Sequence, residues 1–104
     1  MQIVLIDTFV VPDVSKEALI ERAKESAAFL RTLPGFVEGY IFEKTSGDSS
    51  HNIVTTAVWQ DQAAYENARE SAAAEFRRTG FNPQEIMSRL DVTFQRAVYR
   101  RLSY

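Results

Sequence analysis

Between His51 and Ser71 the chain changes from a β pattern to a helical one across a single short turn, and this junction constrains the fold more than any other feature. Ile53 to Trp59 is β-branched and aromatic, with Thr55 and Thr56 at its centre, as a pleated and largely buried strand requires. Two residues later Asp61 can cap a helix by accepting a hydrogen bond from a first-turn N–H. Tyr65, Ala68, Ala72 and Phe76 then recur at steps of three and four and share one helical face. A Trp at the strand end and a Tyr six residues on are expected to converge on one space. Ala63, Ala64, Ala68, Ala72, Ala73 and Ala74 keep this helix thin, which leaves room beside it for a planar ligand. A pocket, if there is one, is expected there.

The other elements follow from similar signals. Ile3 to Val11 is apolar at odd and even positions alike, interrupted only by Asp7 and Thr8, and Pro12 ends it. Such a strand needs cover on both faces. Ser15 is the expected N-cap of an amphipathic helix from Lys16 to Thr32, with Ile20, Ala23, Ala27 and Leu30 on its apolar stripe and Arg22 and Arg31 on the solvated side; Pro34-Gly35 stops it. Phe36 to Lys44 reads as a strand with Phe36, Tyr40 and Phe42 on one face, and Thr45 to Asn52 as a hairpin loop. The second helix should end at Gly80, with Arg77 and Arg78 in its last turn. Asn82-Pro83-Gln84-Glu85 satisfies the helix-start rules and predicts a short helix to Leu90. Asp91 to Leu102 is the last strand.

The order β-α-β-β-α-(short α)-β implies an α+β, ferredoxin-like split βαβ antiparallel sheet with both long helices on one face. Val4, Ile6, Phe36, Tyr40, Phe42, Val54 and Val58 are left for the opposite face. An apolar patch of that size marks an interface, and a second copy laid sheet against sheet covers it. A homodimer is therefore expected.

At 104 residues the chain is expected to be one domain, 1–104. Its net charge of −2 argues against general nucleic-acid binding, which needs a surplus of Lys and Arg. The absence of cysteine excludes thiol nucleophiles and Cys-ligated metals. A single histidine, His51, placed in the loop, makes a poor ligand or base. No metal and no cofactor are expected. With no signal-like or membrane-spanning segment, the expected setting is cytoplasmic, with no membrane partner.

The LPGFVEGY segment at 33–40, VWQDQAAYENAR at 58–69 and the element order resemble the antibiotic biosynthesis monooxygenase family of the dimeric α/β-barrel superfamily, over nearly the whole chain. The resemblance implies a dimeric α/β barrel. Its haem-degrading members carry a His late in the second helix, where Arg78 or a neighbour stands here, a Trp where Ala68 stands, and an Asn where Asp7 stands, so haem ligation of that kind is not expected. Members that oxidise aromatic polyketide phenols without a cofactor match better. Trp59 and Tyr65 correspond to their Trp and Tyr, while their Asn four residues before the Trp is Thr55 here.

The resemblance thus implies a cofactor-independent monooxygenase acting on a small aromatic phenol, quinol or polyketide-like compound between sheet and helices. Asp7, Tyr65 and Trp59 are the expected catalytic residues, with Thr55, Phe76 and Arg78 binding substrate. Each has a plainer reading. Trp59 can simply plug the core, Tyr65 can be a half-buried helix residue with a wet hydroxyl, and Asp7 can pair with Arg96 or Arg100 on the last strand. On that reading the protein is a non-catalytic dimeric small-ligand-binding or stress-related barrel. The two diverge on whether Asp7, Tyr65 or Thr55 faces a cavity with Trp59 in its wall.

Overall fold

A computed structural model describes residues 1–103; Tyr104, the last residue of the expected domain, lies outside them. The elements run β1 (Ile3–Val10), α1 (Lys16–Leu30), β2 (Phe36–Glu43), β3 (Ile53–Trp59), α2 (Gln62–Thr79), α3 (Pro83–Arg89) and β4 (Thr93–Arg100). The sheet has the order β2-β3-β1-β4 with every neighbour antiparallel. This is the expected ferredoxin-like α+β topology.

The caps of α2 and α3 form as their sequences dictate. Asp61 accepts from the Ala64 N–H at 2.8 Å, Asn82 accepts from the Glu85 N–H at 3.2 Å, and Gly80 closes α2 in the left-handed region. Ser15 behaves differently from expectation. A 3-10 turn over Asp13–Ser15 leads into α1, and the Ser15 hydroxyl donates to the Leu90 carbonyl at 2.6 Å instead of capping the helix. Its function is to tie the start of α1 to the end of α3. β4 starts at Thr93, two residues later than the sequence predicts. Asp91 takes φ 57°, and the Val92 N–H returns to the Met87 carbonyl at 2.9 Å, so these two residues close α3 and do not extend the strand.

Register sorts the side chains. Asp7 stands between Thr55 on β3 and Arg96 on β4, and Leu5 between Ala57 and Val98. These residues, with Phe9, Ile41, Ile53 and Trp59, look toward the helices. Two core clusters result, one built on Phe9, Val11, Leu19, Ile53 and Val92, the other on Ala57, Trp59, Tyr65 and Ala68. Val4, Ile6, Val54, Thr56 and Val58 look the other way, beside Tyr40, Phe42 and Tyr99, each of which is about half exposed.

Phe36 departs from the expected pattern. A bulge between Phe36 and Glu38 inserts an extra residue, Val37, so Phe36 pairs with Trp59 on the helix face while Tyr40 and Phe42 stay on the other. Its ring meets Trp59 edge-on at 5.4 Å. Gly39 provides the space, because a Cβ there would stand 2.7 Å from the Thr56 carbonyl and 3.2 Å from the Phe36 ring. Beyond the hairpin loop, Asn52 locks β3 to the end of β1. Its side chain accepts from the Val11 N–H at 2.9 Å and donates to the Val11 carbonyl at 2.8 Å. Among the described residues no helix is long and apolar enough to cross a membrane.

Candidate functional site

Two adjoining cavities lie between the sheet and the helices. The inner one, about 220 Å³, has Asp7 and Thr55 in its wall. The outer one, about 550 Å³, is bounded by Trp59 from β3 and by Ala68, Arg69 and Ala72 from α2. Leu5, Arg22, Leu30, Phe76, Phe81 and Arg96 contribute to both, so they form the partition between the two. The outer volume lies within the range that holds a drug-sized ligand; the inner one lies below it. Small residues at 68 and 72 create the outer space, as the alanine-rich helix predicts.

Trp59 is 1% exposed, and its indole Nε1 is buried without a hydrogen-bond partner among the described residues. Packing explains the ring, held by Phe36, Ala57, Tyr65 and Ala68. It does not explain the N–H. A buried donor left unsatisfied costs about 1–3 kcal/mol, a penalty that the packing of the ring has to outweigh.

Asp7 is buried and receives two charge-assisted hydrogen bonds from Arg96, Nε to Oδ1 at 2.8 Å and Nη2 to Oδ2 at 2.9 Å. The bidentate geometry uses one lone pair of each oxygen and leaves the others free. Asp7 hydrogen bonding holds the Arg96 guanidinium above its ordinary value, with partial burial opposing and the charge of Asp7 adding. Arg96 borders both cavities and, among the described residues, is the cation paired with the buried carboxylate.

Other expected site residues are divided. Thr55 lines the inner cavity and Phe76 lines both. Tyr65 packs in the same cluster as Trp59 but borders neither cavity, its ring lying 5.9 Å from the Arg69 guanidinium. Arg78 is apart from the site. It is mostly exposed and bonded to Glu75 at 2.6 Å, a hydrogen bond that holds the Glu75 carboxyl below its usual value. The last turn of α2 points it outward, because Phe76 takes the cavity-facing position two residues earlier.

Two wall residues escape the sequence reading. Arg22 counts there as part of a solvated helix face, yet its guanidinium lies 4.0 Å from the centre of the Phe81 ring. Phe81 belongs to the linker between α2 and α3 and packs on Phe76 at 5.2 Å. An arginine one turn after Leu19 flanks the apolar stripe, and such a residue can lay its stem over apolar surface. Among the described residues no group of three or more His, Cys, Asp or Glu side chains is placed to hold a metal ion.

A ferredoxin-like sheet with an apolar, arginine-bordered cavity under its helices defines a small α+β protein of two layers. The profile of the antibiotic biosynthesis monooxygenase family matches residues 1–79, and the chain belongs to that family. Among solved structures it is similar to SnoaB, a cofactor-independent oxygenase from Streptomyces nogalater, with 22% identity over 99% of this chain and 95% of that one and a TM-score of 0.64. A conserved protein from Methanosarcina mazei is 12% identical over 98% and 94% of the two chains, with a TM-score of 0.71. A haem-degrading protein from Mycobacterium tuberculosis is 20% identical over 66% and 78%, with a TM-score of 0.59. At these identities the structural likenesses establish the fold alone. No curated protein matches the chain in sequence.

Proposed function

We propose that this protein is a cofactor-independent monooxygenase of aromatic phenols, working in the outer cavity as one half of a homodimer. The observation that carries the reading is an apolar space large enough for a fused-ring substrate, with the Trp59 ring and the Arg96 guanidinium in its wall. Family membership and the likeness to a cofactor-independent oxygenase support it.

In this reading a phenol, or the enol form of an anthrone, lies against Trp59, Phe76 and Leu30, and its ionising oxygen accepts from Arg96. Asp7 lines the inner cavity and not the outer one, so its part is to hold the guanidinium in place, and the phenolic proton leaves to solvent at the mouth of the outer cavity. The guanidinium stabilises the oxyanion. The electron-rich ring carbon then reacts with dioxygen. For a ring CH2 flanked by aromatic rings, one oxygen atom becomes the new carbonyl, and the other leaves as water with the two hydrogens. The substrate supplies every electron, so no external reductant enters.

The dimer is formed by the face that carries Tyr40, Phe42 and Tyr99, set against the same face of a second copy. The alternative, a barrel that binds a small apolar ligand without turnover, draws on one observation: Arg96 already neutralises Asp7, the only carboxylate in the inner cavity wall.

Oxygen uptake with a panel of anthrones and hydroquinones tests the choice. Turnover by the wild type is expected, with Arg96→Gln losing about 1–3 kcal/mol of transition-state stabilisation. Tight binding of the same compounds with no oxygen uptake would leave the binding-only barrel. Tyr65→Phe should cost less than Arg96→Gln, because Tyr65 borders neither cavity.

A further inference from the structure

The outer cavity is unbalanced in what it offers a ligand. Five charged side chains border it: Arg22, Arg69 and Arg96, against Glu25 and Glu75. Both carboxylates are committed, Glu25 to Arg22 at 3.0 Å and Glu75 to Arg78 at 2.6 Å. Arg96 is committed to Asp7. Arg69 alone forms no salt bridge among the described residues; its recorded contact is with the face of Tyr65. The space therefore presents an uncommitted cation, while each of its carboxylates is already paired. Its remaining lining is chiefly apolar, with Leu5, Phe29, Leu30, Ala72 and Phe76.

From this imbalance we infer that the outer cavity selects aromatic ligands bearing a carboxylate, with Arg69 as the residue that recognises the anionic group. The inference rests on the outer cavity being the substrate site. The fused rings occupy the apolar space beside Ala68 and Ala72, and the carboxylate reaches Arg69 on the same helix, one turn before Ala72. A guanidinium suits this task, since its planar fork matches both carboxylate oxygens. A ligand of this class corrects the wall's charge without disturbing the Arg22–Glu25 or Arg96–Asp7 pairs. Arg69 is exposed on the rim, so its bond to the ligand operates at the cavity mouth and fixes which end of the ligand enters first.

Anthraquinone-2-carboxylate and its neutral isostere anthraquinone-2-carboxamide form the test pair, titrated calorimetrically into the whole protein, with quenching of Trp59, the only tryptophan, as the report on location. The carboxylate is expected to bind about tenfold tighter than the amide in dilute buffer, a preference that salt weakens. Arg69→Gln should abolish the preference and leave amide binding unchanged, Arg69→Lys should keep part of it, and Arg77→Gln, exposed on α2 outside the cavity wall, should leave it intact. Equal affinity of the two probes in the wild type, or a preference that survives in Arg69→Gln, overturns the assignment of Arg69 while the cavity remains the ligand site. Binding of neither probe, or binding without quenching of Trp59, overturns the cavity itself, and the inference falls with it.

Discussion

The Asp7–Arg96 pair has two unequal ends, and its two halves should therefore respond differently to mutation. The Asp7 side chain is 11% exposed and the Arg96 side chain 55%. Removing Arg96 as Arg96→Met keeps most of the apolar stem and leaves a buried carboxylate without its partner. An uncompensated charge of this kind costs about 3–5 kcal/mol in a fully buried pair, while exposed pairs are worth about 0–1 kcal/mol. With one end buried and the other half solvated, an intermediate loss of about 2–3 kcal/mol is expected for Arg96→Met. Asp7→Asn has a smaller effect. Arg96 is then free to turn its guanidinium into water, and the Asn carbonyl still accepts one hydrogen bond, so about 0.5–1.5 kcal/mol should be lost. Urea unfolding of the two single variants and the double variant measures both costs and the coupling between them. The double variant should be more stable than Arg96→Met alone, because it no longer buries a charge. If Asp7→Asn costs as much as Arg96→Met, or the double variant is no better than Arg96→Met, the asymmetry argument is wrong.

Gly35→Ala should destabilise by about 2–4 kcal/mol in urea unfolding, because φ is +82° and the new Cβ would stand 2.4 Å from the Ala64 Cβ at the start of α2; a loss below 1 kcal/mol would mean that the turn and α2 separate easily. Sedimentation equilibrium is expected to find a dimer at micromolar concentration, burying more than about 1,000 Å² between sheet faces. Replacing Tyr40 and Phe42 by lysine should shift it to monomer, and a wild-type monomer would remove the dimer from the proposal.

Much of the fold is legible in the sequence because its signals are local. Asp61, Gly80 and Asn82-Pro83 each act within one helical turn, and β3 runs from Ile53 to Trp59 with no Gly or Pro to break it. What the sequence obscures depends on partners far along the chain. Ser15 looks like a cap and becomes a tie to Leu90, 75 residues away. Asn52 reads as loop polarity, yet its amide continues the sheet beyond β1 by bonding both backbone groups of Val11. Phe36 follows a period of two with Tyr40 and Phe42 only if the strand is regular, and the bulge at Val37 breaks that period. Gly39 is the single local hint, since a glycine inside a strand often marks a bulge or a close approach.

The site was less legible for a related reason. Sequence periodicity assigns a residue to a face, whereas a cavity is made where two faces fail to meet. Trp59, Thr55 and Phe76 face inward and do border the space, but Tyr65 is equally buried and borders none of it, because the ring fills the contact between α2 and β3. Arg22, assigned to solvent by its charge, instead covers Phe81 and becomes part of the partition between the cavities. Charge was thus a poor guide to position here, and pairing a better guide to role. Of the three arginines around the outer cavity, two are satisfied by carboxylates that the fold supplies, and the third has no such partner. The residues that hold the cavity together are those whose polar groups are already paired, which leaves Arg69 as the residue proposed to meet a ligand.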